Sequence, residues 1–110
     1  MKRVVVSAEA DAEVRSIYRF TWRKWGEARA DTYVAQFHDA YVRLANGTAM
    51  GRFFRNIDGM EVRRLEVGRH IVVFALRENA VLVLQVFHDR MDVLARLERL
   101  IPRLKSRGAI

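Results

Sequence analysis

Two hydrophobic periods divide this chain. Between residues 10 and 45, apolar side chains recur every third or fourth position. Between residues 60 and 87 they alternate or run without a break. Side chains share a face with period 3.6 on a helix and 2 on a strand, so the first region predicts helices and the second strands.

A run ending in three valines, residues 2–6, predicts a strand, and Ser7 closes it as a helix N-cap. Glu9 and Asp11 fall in the first helical turn, where the helix dipole favours carboxylates. Ala10, Val14, Ile17, Tyr18, Thr21 and Trp25 form the apolar stripe, with Arg15, Arg19 and Arg23 on another face. Trp22 and Trp25 are expected to anchor the core or a hairpin. Gly26 reads as the residue that ends the helix. A second helix, about 27–45, carries Ala30, Tyr33, Val34, Phe37, Tyr41 and Leu44, and Asn46-Gly47 stops it. So short a link requires an antiparallel helical hairpin with facing stripes.

Residues 48–59 read as a loop, with Phe53 and Phe54 tucked against a sheet. Strands follow at Met60–Val67, His70–Leu76 and 81–87, joined at Gly68 and at Glu78-Asn79. In the first of these, Met60, Val62, Arg64 and Glu66 oppose Glu61, Arg63, Leu65 and Val67. In the second, Ile71, Val73 and Ala75 oppose Val72, Phe74 and Leu76. In the third, strict alternation sets Val81, Val83 and Phe87 against Leu82, Leu84 and Val86. Strands apolar at both parities belong to a sheet covered on both faces. The helical hairpin covers one. The other either meets a C-terminal helix or stays open as an interaction surface.

That helix, about 92–104, is capped by Asp89 or Asp92 and carries Val93, Leu94, Leu97, Leu100, Ile101 and Leu104, with Arg96, Arg99 and Arg103 outward. Pro102 should kink or end it near Ile101, leaving the last residues frayed. The expected fold is therefore α+β, one domain over 1–110: an N-terminal strand, an antiparallel helical hairpin packed on an antiparallel sheet, and a C-terminal helix.

Composition narrows the partners. There is no cysteine, which excludes disulfides and thiolate metal sites. No stretch approaches a membrane span, and the opening apolar run is too short for a signal-peptide core, so the expected location is the cytoplasm. The net charge is +7, and all 20 basic residues except Lys2, Lys24 and Lys105 are arginine. An arginine-rich surface suits an anionic partner, because guanidinium binds carboxylate and phosphate bidentately.

His38, His70 and His88 have no histidine partner at metal-ligand spacing, there is no glycine-rich phosphate loop, and no serine stands in a nucleophile-elbow motif. No metal or cofactor is expected. The remaining constellation is Arg63, Arg64, Arg69, His70, His88 and Arg90 at strand ends. Gathered on one sheet surface, they could cleave RNA: arginines holding phosphate, His88 moving the proton, Glu61 or Glu66 serving as base. Alternatively His88 only caps its strand, and a surface of Arg52, Arg63, Arg69, His70, His88, Arg90, Arg96 and Arg99 binds a partner.

The element order and several local motifs resemble the RelE/ParE superfamily of bacterial type II toxins, and its ParE branch in particular. The motifs are Trp25-Gly26-Glu27-Ala28, Gly51-Arg52, Arg63, Val67-Gly68-Arg69-His70, and the close His88-x-Arg90-x-Asp92. The resemblance covers the chain to about Asp92. It implies a toxin held silent by a cognate antitoxin, a ribbon-helix-helix, ParD-like protein, as in plasmid stabilisation. ParE-like members inhibit DNA gyrase and are not enzymes. RelE-like members cleave messenger RNA on the ribosome, which here would employ His88 with Arg63, Arg69 and Arg90. A third expectation is a degenerate member that binds antitoxin without toxicity. Scarce lysine and the lack of any tyrosine after Tyr41 depart from the RelE pattern and favour gyrase.

Overall fold

A computed structural model describes all of residues 1–110. The elements run β1 (Arg3–Val6), α1 (Ala8–Trp25), α2 (Glu27–Asn46), β2 (Arg52–Ile57), β3 (Met60–Val67), β4 (His70–Leu76), β5 (Ala80–His88) and α3 (Val93–Ser106). One sheet holds all five strands in the order β1-β5-β4-β3-β2. β1 lies parallel to β5, and the other pairs are antiparallel.

Local chemistry starts and stops these elements as the sequence implies. The Ser7 hydroxyl oxygen accepts from the Ala10 N–H at 3.0 Å and its proton goes to the Leu84 carbonyl at 2.7 Å, so one side chain caps α1 and ties it to β5. Gly26, at φ 94°, ends α1 and opens α2. The two helices form the antiparallel hairpin that covers one sheet face. Val14, Ile17, Phe37, Tyr41 and Leu44 there meet Val67, Val72, Phe74 and Val81.

The second face is not open. Val93, Leu97, Leu100, Ile101 and Leu104 of α3 pack on Val62, Ile71, Val73, Leu84 and Phe87. Asp92, rather than Asp89, caps this helix, accepting from the Ala95 N–H at 3.2 Å. Of the two alternatives for this face, the C-terminal helix is the one realised: α3 fills it. Pro102 does not end α3, which continues to Ser106. A proline inside a helix costs about 3 kcal/mol. Burying Leu97, Leu100, Ile101 and Leu104 contributes about 1.5–3 kcal/mol each, so packing wins. Nor does the tail fray. Arg107 donates to both carboxylate oxygens of Glu9, at 2.6 and 2.5 Å, and Ala109 and Ile110 pack on the α3-side core. Lys105 also pairs with Asp58.

Three further readings change. Residues 48–59 are not all loop, because Arg52–Ile57 forms the edge strand β2. Asp58 and Gly59, both at positive φ, make the two-residue turn into β3. Phe53 is 59% exposed, while Phe54 packs towards the α3-side core. Trp22 and Trp25 are half exposed rather than core anchors. Finally, a bulge interrupts β5 where Val83 opposes Phe74 but Gln85 opposes Val73. The extra residue flips the parity beyond it. Val81, Val83 and Val86 thus share the hairpin face, and Leu82, Leu84 and Phe87 the α3 face.

Candidate functional site

The β5 bulge also decides where His88 points. It places His88 opposite His70, with both rings on the hairpin side and their centroids 5.2 Å apart. The Gly68-Arg69 turn delivers β4 to this corner. Gly68 has φ 58°, and a Cβ there would lie 2.6 Å from the Tyr33 ring, so the turn requires glycine on both counts.

Tyr33 of α2 joins the corner. Its hydroxyl accepts the Arg69 N–H at 3.1 Å and lies 2.7 Å from His70 Nδ1, with the Val67 carbonyl farther away at 3.3 Å. With one lone pair taken by Arg69, the hydroxyl proton is best directed at Nδ1. That assigns His70 a proton on Nε2 and leaves it neutral. Burial, and then the neighbouring His88, push the His70 pKa below its ordinary value. Burial raises that of Tyr33. His88 Nδ1 accepts the Arg90 N–H at 3.1 Å and lies 3.0 Å from an Asp89 carboxylate oxygen. One nitrogen thus serves either neighbour according to its protonation.

The corner opens onto a cleft of about 670 Å³ between α1, the start of α2 and the sheet end. Phe20 and Met91 expose apolar surface to it. Trp25 stands at its mouth with Lys24 Nζ 4.9 Å and the Arg29 guanidinium 5.8 Å from its ring centre.

The expected site residues are only partly gathered. Arg69, His70 and His88 line the cleft, and Arg90 binds His88 through its backbone. Arg63 is on the same sheet face but opposite Phe74, four residues and roughly 13 Å along β4 from His70. Its guanidinium is taken up by the Met50 carbonyl at 2.7 Å, the Gly51 carbonyl at 3.2 Å and the Glu61 carboxylate at 2.7 Å. Arg64 faces the other way, its guanidinium 5.4 Å from the Phe54 ring centre. Arg52 pairs with Glu66 at 3.1 Å on the β2 edge. Arg96 and Arg99 are exposed on α3, across the sheet from the cleft. Glu61 and Glu66 are thus engaged with arginines elsewhere, and neither serves His88. His38 is exposed on α2.

Glu13, Ser16, Phe20, Arg29 and Tyr33 also line the cleft. Helical period placed Tyr33 on the core stripe, but only tertiary contact shows its hydroxyl against His70. No group of acidic, histidine or cysteine side chains could hold a metal ion, and no helix is long and apolar enough to cross a membrane.

A family model described as the ParE toxin of the type II toxin–antitoxin system parDE matches residues 4–93. The toxin ParE of Escherichia coli is 34% identical over 99 residues, covering 88% of this chain and 94% of that one. Toxin ParE1 of Mycobacterium tuberculosis is 30% identical over 92 residues, covering 83% and 93%. A solved structure from the chromosomal ParDE system of P. aeruginosa shares the fold, with a TM-score of 0.64 at 18% identity, covering 80% of this chain and 96% of that one.

Proposed function

This chain belongs to the ParE family of type II toxins, and from that premise we propose that it inhibits DNA gyrase by binding and is neutralised by a cognate ribbon-helix-helix, ParD-like antitoxin. The observation that carries the choice of target is the dispersal of the ribonuclease set. Arg63 is bound to backbone carbonyls and Glu61, far from His88. His70 is half-buried and engaged with Tyr33, and burial holds its pKa below the ordinary value. Neither carboxylate expected as a base reaches the cleft. General acid–base cleavage needs those groups within hydrogen-bond reach of one reacting site. A basic surface with exposed aromatic side chains suits recognition of a protein target instead.

Purified protein titrated into a gyrase supercoiling reaction should inhibit it. Expression in cells should bring DNA-damage signalling and filamentation while transcripts stay intact, and co-expression of the antitoxin should reverse both. His88→Ala should keep its toxicity. Rapid translation arrest with cut transcripts, abolished by His88→Ala, would replace the gyrase reading with the ribonuclease one. Absence of any growth defect would leave a degenerate, antitoxin-binding member.

A further inference from the structure

The cleft beside His88 holds charged groups that nothing in the protein neutralises. Some arginines of the chain meet carboxylates, as in Arg15–Asp11, Arg43–Asp39, Arg52–Glu66 and Arg63–Glu61, and many others are free on the surface. Around the cleft, the guanidiniums of Arg29 and Arg69 have no carboxylate partner, and Glu13 has no cation. Arg29 is held over the Trp25 ring. The Arg69 backbone is fixed by its N–H bond to Tyr33. Phe20 and Met91 add exposed apolar surface to the same lining. A volume of about 670 Å³ falls within the range of small-ligand sites, roughly 300–1,000 Å³.

We propose that this cleft binds a nucleotide unit, its phosphate on Arg29 and Arg69, its base against Phe20 and Met91, and an exocyclic amino group donated to Glu13. Each part follows from the lining. Guanidinium matches phosphate bidentately. A planar base stacks on an aromatic or apolar surface without needing a particular sequence. Glu13 supplies base selectivity: its carboxylate accepts a hydrogen from an amino-bearing base. Adenine and cytosine therefore bind better than uracil. The unit could be a free mononucleotide or one residue of a single strand, and the two share this chemistry.

The test uses the purified 110-residue protein carrying Trp22→Phe, so that Trp25 alone reports binding. Its fluorescence is followed during titration with AMP, CMP, UMP and a short single-stranded oligonucleotide. Saturable quenching is expected, tighter for AMP and CMP than for UMP. Arg29→Ala and Arg69→Ala should each weaken it about tenfold or more. Glu13→Gln should narrow the preference over UMP, and Arg43→Ala, at the far end of α2, should leave binding unchanged. Circular dichroism checks that each variant is folded. Saturation by mononucleotides marks a free ligand as the source, and saturation by the oligonucleotide alone marks a strand. No saturable binding by any of the four, or equal loss in Arg43→Ala, overturns the proposal. Neither gyrase nor antitoxin enters this measurement, so its failure leaves the proposed toxin function untouched.

Discussion

Replacing Leu97 with alanine removes a fully buried side chain from the face of α3 that packs on Val62, Ile71 and Val73. Three methylene-sized groups leave a site walled by a sheet, which cannot collapse to fill the space. Such truncations cost about 3–4 kcal/mol, combining lost transfer energy with the residual cavity. A domain of this size has a total stability of about 5–15 kcal/mol, so the loss is a large fraction of it. With a urea slope of about 1.5 kcal/mol/M, the unfolding midpoint should fall by about 2 M at constant slope. Arg99→Ala, on the exposed side of the same helix, should change stability by less than about 0.5 kcal/mol. The paired measurement separates a helix that completes the core from one that merely rests on it. Equal midpoints for the two variants would refute the packing argument and return the second sheet face to the list of open surfaces.

Three more perturbations reach the corner and the hairpin. Gly68→Ala must adopt φ 58° and places its methyl group 2.6 Å from the Tyr33 ring. The left-handed backbone alone costs about 1–2 kcal/mol, and displacing Tyr33 should shift the His70 titration seen by NMR. The pH dependence of His70 has a definite sign. Its folded pKa lies below the unfolded value, so its contribution is complete at high pH and is lost as pH falls through about 6.5 towards the depressed folded value. Urea midpoints between about pH 8 and about pH 5.5 should therefore decline less in His70→Gln than in the parent. An unchanged slope would show that His70 is not held neutral. The Tyr41 hydroxyl is buried without a partner, and desolvation followed by the nearby Asp11 charge pushes its pKa up to about 12. Tyr41→Phe removes an unsatisfied group, so the midpoint should stay level or rise by up to about 1 kcal/mol of stability. A clear fall would reveal a partner for that hydroxyl.

How much was legible in advance depended on how local each rule is. The helical hairpin, the Ser7 cap, the stop at Gly26 and the two-faced apolar strands follow from periods and terminal residues within a few positions of one another. So does the edge strand, in retrospect, because Ile57-Asp58-Gly59-Met60 carries the Asp-Gly signal of a hairpin turn. Its charged, weakly apolar strand concealed it. The family resemblance also stood on local motifs, and their order was sufficient.

The functional corner was less accessible, because its geometry depends on long-range register. Strict alternation would have left Val86 and Phe87 on the wrong faces. One bulged residue in β5 reverses them and turns His88 towards His70. Whether Pro102 broke α3 was likewise a contest between one local backbone penalty and several buried side chains, and only the sheet opposite α3 could decide it. Arg63 and His88 looked alike as basic strand residues, yet β3–β4 pairing sets Arg63 beside Phe74 and Met50 rather than in the cleft. By itself the sequence determined the helical hairpin, the apolar strands and the faces of β3 and β4, because those depend on backbone period. Tertiary structure alone decided which charged side chains meet, because a one-residue change of register moves a side chain across the whole sheet.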